Sequence, residues 1–184
     1  MKNKTVQFIT RTAILLALCV VLQLLIPATV ALQLVKGSLV NLVLLIATFS
    51  TGLACGLIIA VVNPLFVFLL TTSLMNVCPQ ILLVVMLGNC ILVALAWALR
   101  KPFRGILGLA AAAVCKALFM GLSISFVVLP VFGAKVVAAG KAAVAAKMFG
   151  IMQLPTALIG GALFFIIWQA LKNVPGITLE SEKK

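Results

Sequence analysis

The sequence predicts an all-α integral membrane protein: a compact bundle of six transmembrane helices with both termini cytoplasmic, residues 1–184 forming a single membrane domain. Its 184 residues are 65% hydrophobic and 9% charged, whereas a soluble domain is roughly half apolar and a quarter charged. That leaves too little polar surface to cover a particle in water, so lipid is the solvent. The apolar residues fall in runs of about 20, the length a helix needs to cross hydrocarbon. The cations stand mostly at the ends of these runs, where they anchor helices and set orientation.

Taken between helix breakers, the spans are expected near 6–26, 34–50, 52–71, 80–99, 105–129 and 148–171. Lys2, Lys4 and Arg11 ahead of the first run imitate a secretory signal. The rest of the chain is equally apolar, so this run reads as an uncleaved first span that Pro27 closes. The stretch 34–71 is far too long for one span at ~1.5 Å rise per residue. A break is expected at Ser50-Thr51-Gly52, and Asn63-Pro64 should kink the third helix rather than end it. Pro79 precedes the fourth span and Arg100-Lys101-Pro102 ends it. Pro130 is expected to close the fifth, and Lys172 and Pro175 follow the sixth. The Ala- and Lys-rich stretch 132–147 reads either as a solvated, partly helical outer loop or as a lid over an outward-facing site.

With 14 Lys+Arg against 2 Asp+Glu, a soluble protein would point to nucleic acid; the placement of the charges argues against it here. Six spans put Lys2, Lys4, Arg11, Arg100, Lys101, Arg104, Lys172, Lys183 and Lys184 on one side. Lys36, Lys135, Lys141 and Lys147 fall on the other, a split of nine to four. That bias places the termini inside, and a five-span count would weaken it. Both acids, Glu180 and Glu182, lie in the tail 178–184, so the membrane-embedded part has no carboxylate, and the chain has no His.

One cation remains, Lys116, in the middle of the fifth span, too deep to snorkel comfortably to either interface. A Lys at that depth costs roughly 2.5–3.5 kcal/mol on insertion scales. With no acid to pair with, its partners must be carbonyls, side-chain amides, water or an anionic ligand; a Lys solvated in a polar crevice without a ligand is the plainer alternative. Helical spacing sets Ala112, Lys116, Phe119, Met120 and Ser123 on one face. Asn89 is mid-span in the fourth helix, Gln153 and Thr156 share a face of the sixth, and Asn41 and Asn63 are the amides of the second and third. Each alone is as well explained by an interhelical hydrogen bond worth under ~1 kcal/mol. Together with Lys116 they form a candidate donor-rich pocket for a small neutral or anionic solute.

The missing residue types exclude other chemistry. Without membrane carboxylates or His there is no proton relay, acid/base pair, Ser–His or Cys–His nucleophile or metal cluster. No G-x-x-x-x-G-K-[ST] phosphate loop occurs. Neither catalytic nor metal-ligating residues are expected, and no cofactor. The five cysteines, Cys19, Cys55, Cys78, Cys90 and Cys115, read as small apolar fillers. Small residues four apart, which let helix backbones approach, occur at Ala13/Ala17, Gly52/Gly56 and Ala157/Gly161.

The chain resembles a substrate-binding S-component of the energy-coupling factor (ECF) vitamin transporters. RTAILLALCVVLQLL resembles the family's opening helix with its small pair, here Ala13 and Ala17. FSTGLACGLIIAVVNPLFVFLL resembles the Gly-rich third helix, with Asn63 where relatives often carry an acid. QLPTALIGGALFFIIWQAL resembles the sixth. The resemblance implies the substrate-capture subunit of an ATP-driven importer in the bacterial plasma membrane. It would bind a vitamin or similar micronutrient from outside, dock on a transmembrane coupling subunit driven by two cytoplasmic ATPases, and tip over to release its cargo. Ala13 and Ala17 inherit the docking surface; Asn89, Lys116 and Gln153 match the cargo site in helices four to six. Tyr is absent and Trp is limited to Trp97 and Trp168, so a flat ring would stack on Phe. The lone cation disfavours a cationic cargo, and pantothenate, nicotinate and a flavin all remain open. Two other readings stand beside this one: a non-catalytic membrane subunit of a larger complex, and a stand-alone secondary transporter. Tight solute binding by the isolated chain separates the first from the second, and uptake without partner subunits would favour the third.

Overall fold

The computed structural model describes residues 2–27, 29–72, 74–100 and 105–172. The expected anchors Lys101, Pro102 and Arg104, and the tail with Pro175, Glu180, Glu182, Lys183 and Lys184, lie outside them. The described residues are all-helical, and six segments are long and apolar enough to span: Lys4–Leu25, Gln33–Thr51, Leu53–Leu70, Gln80–Ala98, Ile106–Phe132 and Ala142–Ala170. The protein is therefore a multi-pass membrane protein, with spans close to the expected ones.

Helix α1 (Lys2–Leu25) ends where Ile26-Pro27 cannot continue it. It lies at the bundle's edge, burying Thr12 and Cys19 but leaving Ile9, Ile14 and Leu18 exposed to lipid. Helix α2 (Gln33–Thr51) is the central pillar, packed against α1, α3 (Leu53–Leu70), α5 (Gln80–Ala98) and α9 (Gln153–Lys172). Between α2 and α3 the chain reverses on one residue, Gly52, whose φ of +118° favours glycine; its N–H bonds the Thr48 carbonyl at 3.2 Å. At Gly56, a Cβ would overlap the Thr48 hydroxyl and come within 2.9 Å of the Val93 side chain. The Gly52/Gly56 pair therefore serves packing inside the bundle. Helix α3 continues through Pro64, as expected.

The short α4 (Leu74–Val77) leads into α5. Helix α6 (Ile106–Leu122) widens into i→i+5 turns over Ser123–Phe132 that carry the chain past Pro130. Here the expected stop at Pro130 fails: the wider turn opens the backbone at the carbonyl the proline ring would strike, and the helix ends at Gly133 instead. Helices α7 (Ala134–Ala138) and α8 (Ala142–Ala146) turn at Gly140, φ +66°. A second wide turn, Lys147–Ile151, leads into α9. The α7–α8 hairpin is packed: Val136 and Ala145 are fully buried in an apolar cluster with Ile81, Met120 and Met148.

Successive spans alternate in direction, so Gln23, the C-terminal half of α3 and the start of α9 share the end remote from Lys2. The opposite half is filled by a second cluster in which the Phe49 ring lies 5.0 Å from Phe164 and 5.8 Å from Trp168. Beside it, the Arg100 guanidinium sits 3.5 Å over the Trp97 ring, a cation–π contact near the span's end.

Candidate functional site

Lys116 lies midway along α6 and is 2% exposed. Its ammonium donates to the Asn41 Oδ1 on α2 at 2.6 Å and to the Asn89 Oδ1 on α5 at 2.8 Å. Two neutral amide dipoles thus hold a cation that has no acid within the membrane. Charge-assisted bonds of this kind are roughly twice as strong as neutral ones, which offsets part of the insertion cost.

Glycines make the three helices converge there. At Gly88, beside Asn89, a Cβ would fall 2.6 Å from Met120 on α6. At Gly160 on α9 it would fall 2.7 Å from both the Asn41 Cβ and the Ser38 carbonyl. Gly88 lets α5 and α6 close to the distance at which Asn89 reaches Lys116, and Gly160 seats α9 against α2 beside Asn41.

Above this junction, toward the end remote from Lys2, lies a cavity of about 460 Å³. Lys116, Asn41 and Asn89 line it, with Asn63 and Val67 of α3 and Gln153 of α9. Lys141 and Val144 of the hairpin line it too, so the stretch 132–147 is partly helical and largely exposed, as expected of an outer loop, and also contributes to the chamber wall. Phe149 is the aromatic ring in the lining. The Asn41 amide nitrogen and both polar atoms of Asn63 are buried without a hydrogen-bond partner among the described residues. The Gln153 amide nitrogen donates to the Met148 carbonyl at 3.0 Å, and the Thr156 hydroxyl donates to the Gln153 carbonyl at 3.0 Å.

Of the residues expected at the site, Lys116, Asn89 and Gln153 come together on the cavity. Phe119 and Ser123 do not line it. One turn beyond Lys116, Met120 packs onto Gly88 and fills the α5–α6 seam, so Ser123 lies past that plug. Phe119 leans against the apolar cluster beside it. Lys36 is the residue whose part could not be anticipated. Placed among the outer cations by sequence, it lines the cavity and donates to the Gln23 and Ile26 carbonyls, at 2.8 and 3.2 Å, clasping the end of α1. No signal in the sequence pointed to this clasp, because it depends on how the end of α1 and the start of α2 meet. The lining also draws on α2 and α3, beyond the helices four to six that the resemblance implied. Ala13 and Ala17 are exposed on the outer face of α1.

Fold and site together define a class: a multi-pass membrane protein with a solute-sized chamber, apolar-walled and floored by polar side chains, at one end of its bundle, the build of a membrane-embedded binding protein. The family model for the substrate-specific component of ECF transporters matches residues 7–171, and the chain belongs to that family. It is thus a substrate-binding subunit of an ECF importer, not an enzyme, and acts with the components of an ECF transporter module. No curated protein and no solved structure matches the chain.

Proposed function

We propose that this protein is the substrate-capture subunit of an ATP-driven ECF importer that takes a small neutral or anionic micronutrient, of vitamin type, from outside the cell. The observation that carries this reading is the Lys116 ammonium, buried at the floor of the cavity between two amide oxygens with no membrane carboxylate near it. An ammonium has three donors, and two are engaged. The third, with the unpartnered Asn41 amide nitrogen, suits the acceptor end of a solute. A cationic cargo would meet Lys116, Lys36 and Lys141 with nothing to neutralise it.

The nine-to-four charge split favours cytoplasmic termini, which would make the cavity outward-facing. The exposed Ala13 and Ala17 on the weakly buried α1 suit close docking on a transmembrane coupling subunit, which two cytoplasmic ATPases would drive. The test is a binding screen of soluble vitamins on the purified chain, repeated with Lys116→Met. A solute that binds the isolated chain should lose about 10- to 150-fold in affinity, the loss of one hydrogen bond to a charged group. Unchanged affinity in a monodisperse variant would move the site away from Lys116.

A further inference from the structure

Asn63 is 1% exposed, lines the cavity, and has neither its amide nitrogen nor its amide oxygen satisfied among the described residues. Every other amide at the chamber floor is at least half engaged: Asn41 and Asn89 through Lys116, Gln153 through the Met148 carbonyl. A donor and an acceptor on one buried side chain that no protein group satisfies leave both bonds to whatever occupies the cavity, and each costs free energy where nothing supplies them. The position is also one where α3 is already short of a bond, since Pro64 cannot donate to a carbonyl one turn back.

We infer that Asn63 is a specificity residue that reads a planar donor–acceptor edge on the cargo: a ring amide, imide or cyclic urea presenting an N–H beside a C=O. This deepens the capture reading above and rests on it. A side-chain amide offers an N–H and a C=O on one side of a plane, so a cis-amide edge satisfies both atoms with two parallel hydrogen bonds. Asparagine reads adenine by the same two-bond match. A carboxylate has acceptors only, and would leave the Asn63 oxygen orphaned. An open-chain amide is trans, with its N–H and C=O pointing opposite ways, and meets one atom at a time. Lys116 and the Asn41 nitrogen supply donors alone, so Asn63 adds the adjacent donor and acceptor by which the chamber can discriminate between acceptor-rich solutes of similar size.

The test is equilibrium binding of three probes to the purified full chain: riboflavin, with a ring imide; biotin, with a cyclic urea and a carboxylate; and pantothenate, with a carboxylate and an open-chain amide. Wild type is compared with Asn63→Leu, Asn63→Asp and Lys116→Met. Riboflavin or biotin should bind, and both Asn63 variants should weaken it by about tenfold or more. Ligand-free Asn63→Leu should unfold at or above the wild-type temperature, because it removes two unsatisfied groups; a merely structural asparagine would give a fall. Binding of pantothenate alone, binding of none of the three, a lowered unfolding temperature for empty Asn63→Leu, or affinity within about twofold of wild type in both Asn63 variants would each overturn the inference. If Lys116→Met weakens the probe while the Asn63 variants do not, only the role of Asn63 is lost. If none of the variants matters, the capture reading of this cavity falls with it.

Discussion

Two amide oxygens held on one ammonium make Lys116 a junction on which three helices depend. Replacing it with Met removes the charge but strands the Asn41 and Asn89 oxygens in the interior. Each orphaned acceptor costs about 1–3 kcal/mol in water-soluble proteins, and membrane double-mutant cycles average nearer ~0.6 kcal/mol. Lys116→Met should therefore lower the unfolding temperature in detergent, and adding Asn89→Leu should recover part of the loss. Strict additivity of the two changes in a double-mutant cycle would mean that the bond contributes nothing. The lone cation was legible from sequence because a charge mid-span is rare and needs a partner type. Its partners were legible only as a class of residue. Neither the orphaned state of Asn63 nor the Lys36 clasp could be read, because both depend on how separate helices meet.

Among the elements, α1 is the least committed to the bundle. Its inner face is held by Cys19, by the Thr12 hydroxyl 3.2 Å from the Cys55 sulfur, and by the Lys36 clasp on its last carbonyls. Ala13 and Ala17 face away from all of these. A bulky ring there should leave the chamber untouched, so Ala13→Trp and Ala17→Trp are expected to abolish uptake in cells while solute affinity of the isolated subunit stays within about twofold. Loss of both together would assign the pair to internal packing. The spans themselves were readable because the length of an apolar run in lipid is set by membrane thickness. The Pro130 boundary was not: whether a proline ends a helix or sits in a widened turn is decided by the local backbone. The packed α7–α8 hairpin was half legible, since Ala-rich composition indicates helix but not burial.

For the whole molecule, the charge split predicts that a reporter fused after Lys184 reads cytoplasmic and one inserted near Ala139 reads external. Finding both on one side would refute the six-span topology, whatever the packing. Orientation gains its meaning from the division of the bundle into two unlike halves. The chamber lining stops at Lys116, Asn41 and Asn89, and a turn or two further along α2 the interior is closed by Leu45, Phe49, Phe164 and Trp168. A solute resting on the ammonium has packed side chains beneath it, and the described residues leave no cavity leading down from it. In this packing the protein is a cup and not a conduit, and what enters by the rim must leave by the rim. For cargo to reach the far side of the membrane, either the packed floor has to open or the rim itself has to change sides; a static passage is not built into this bundle.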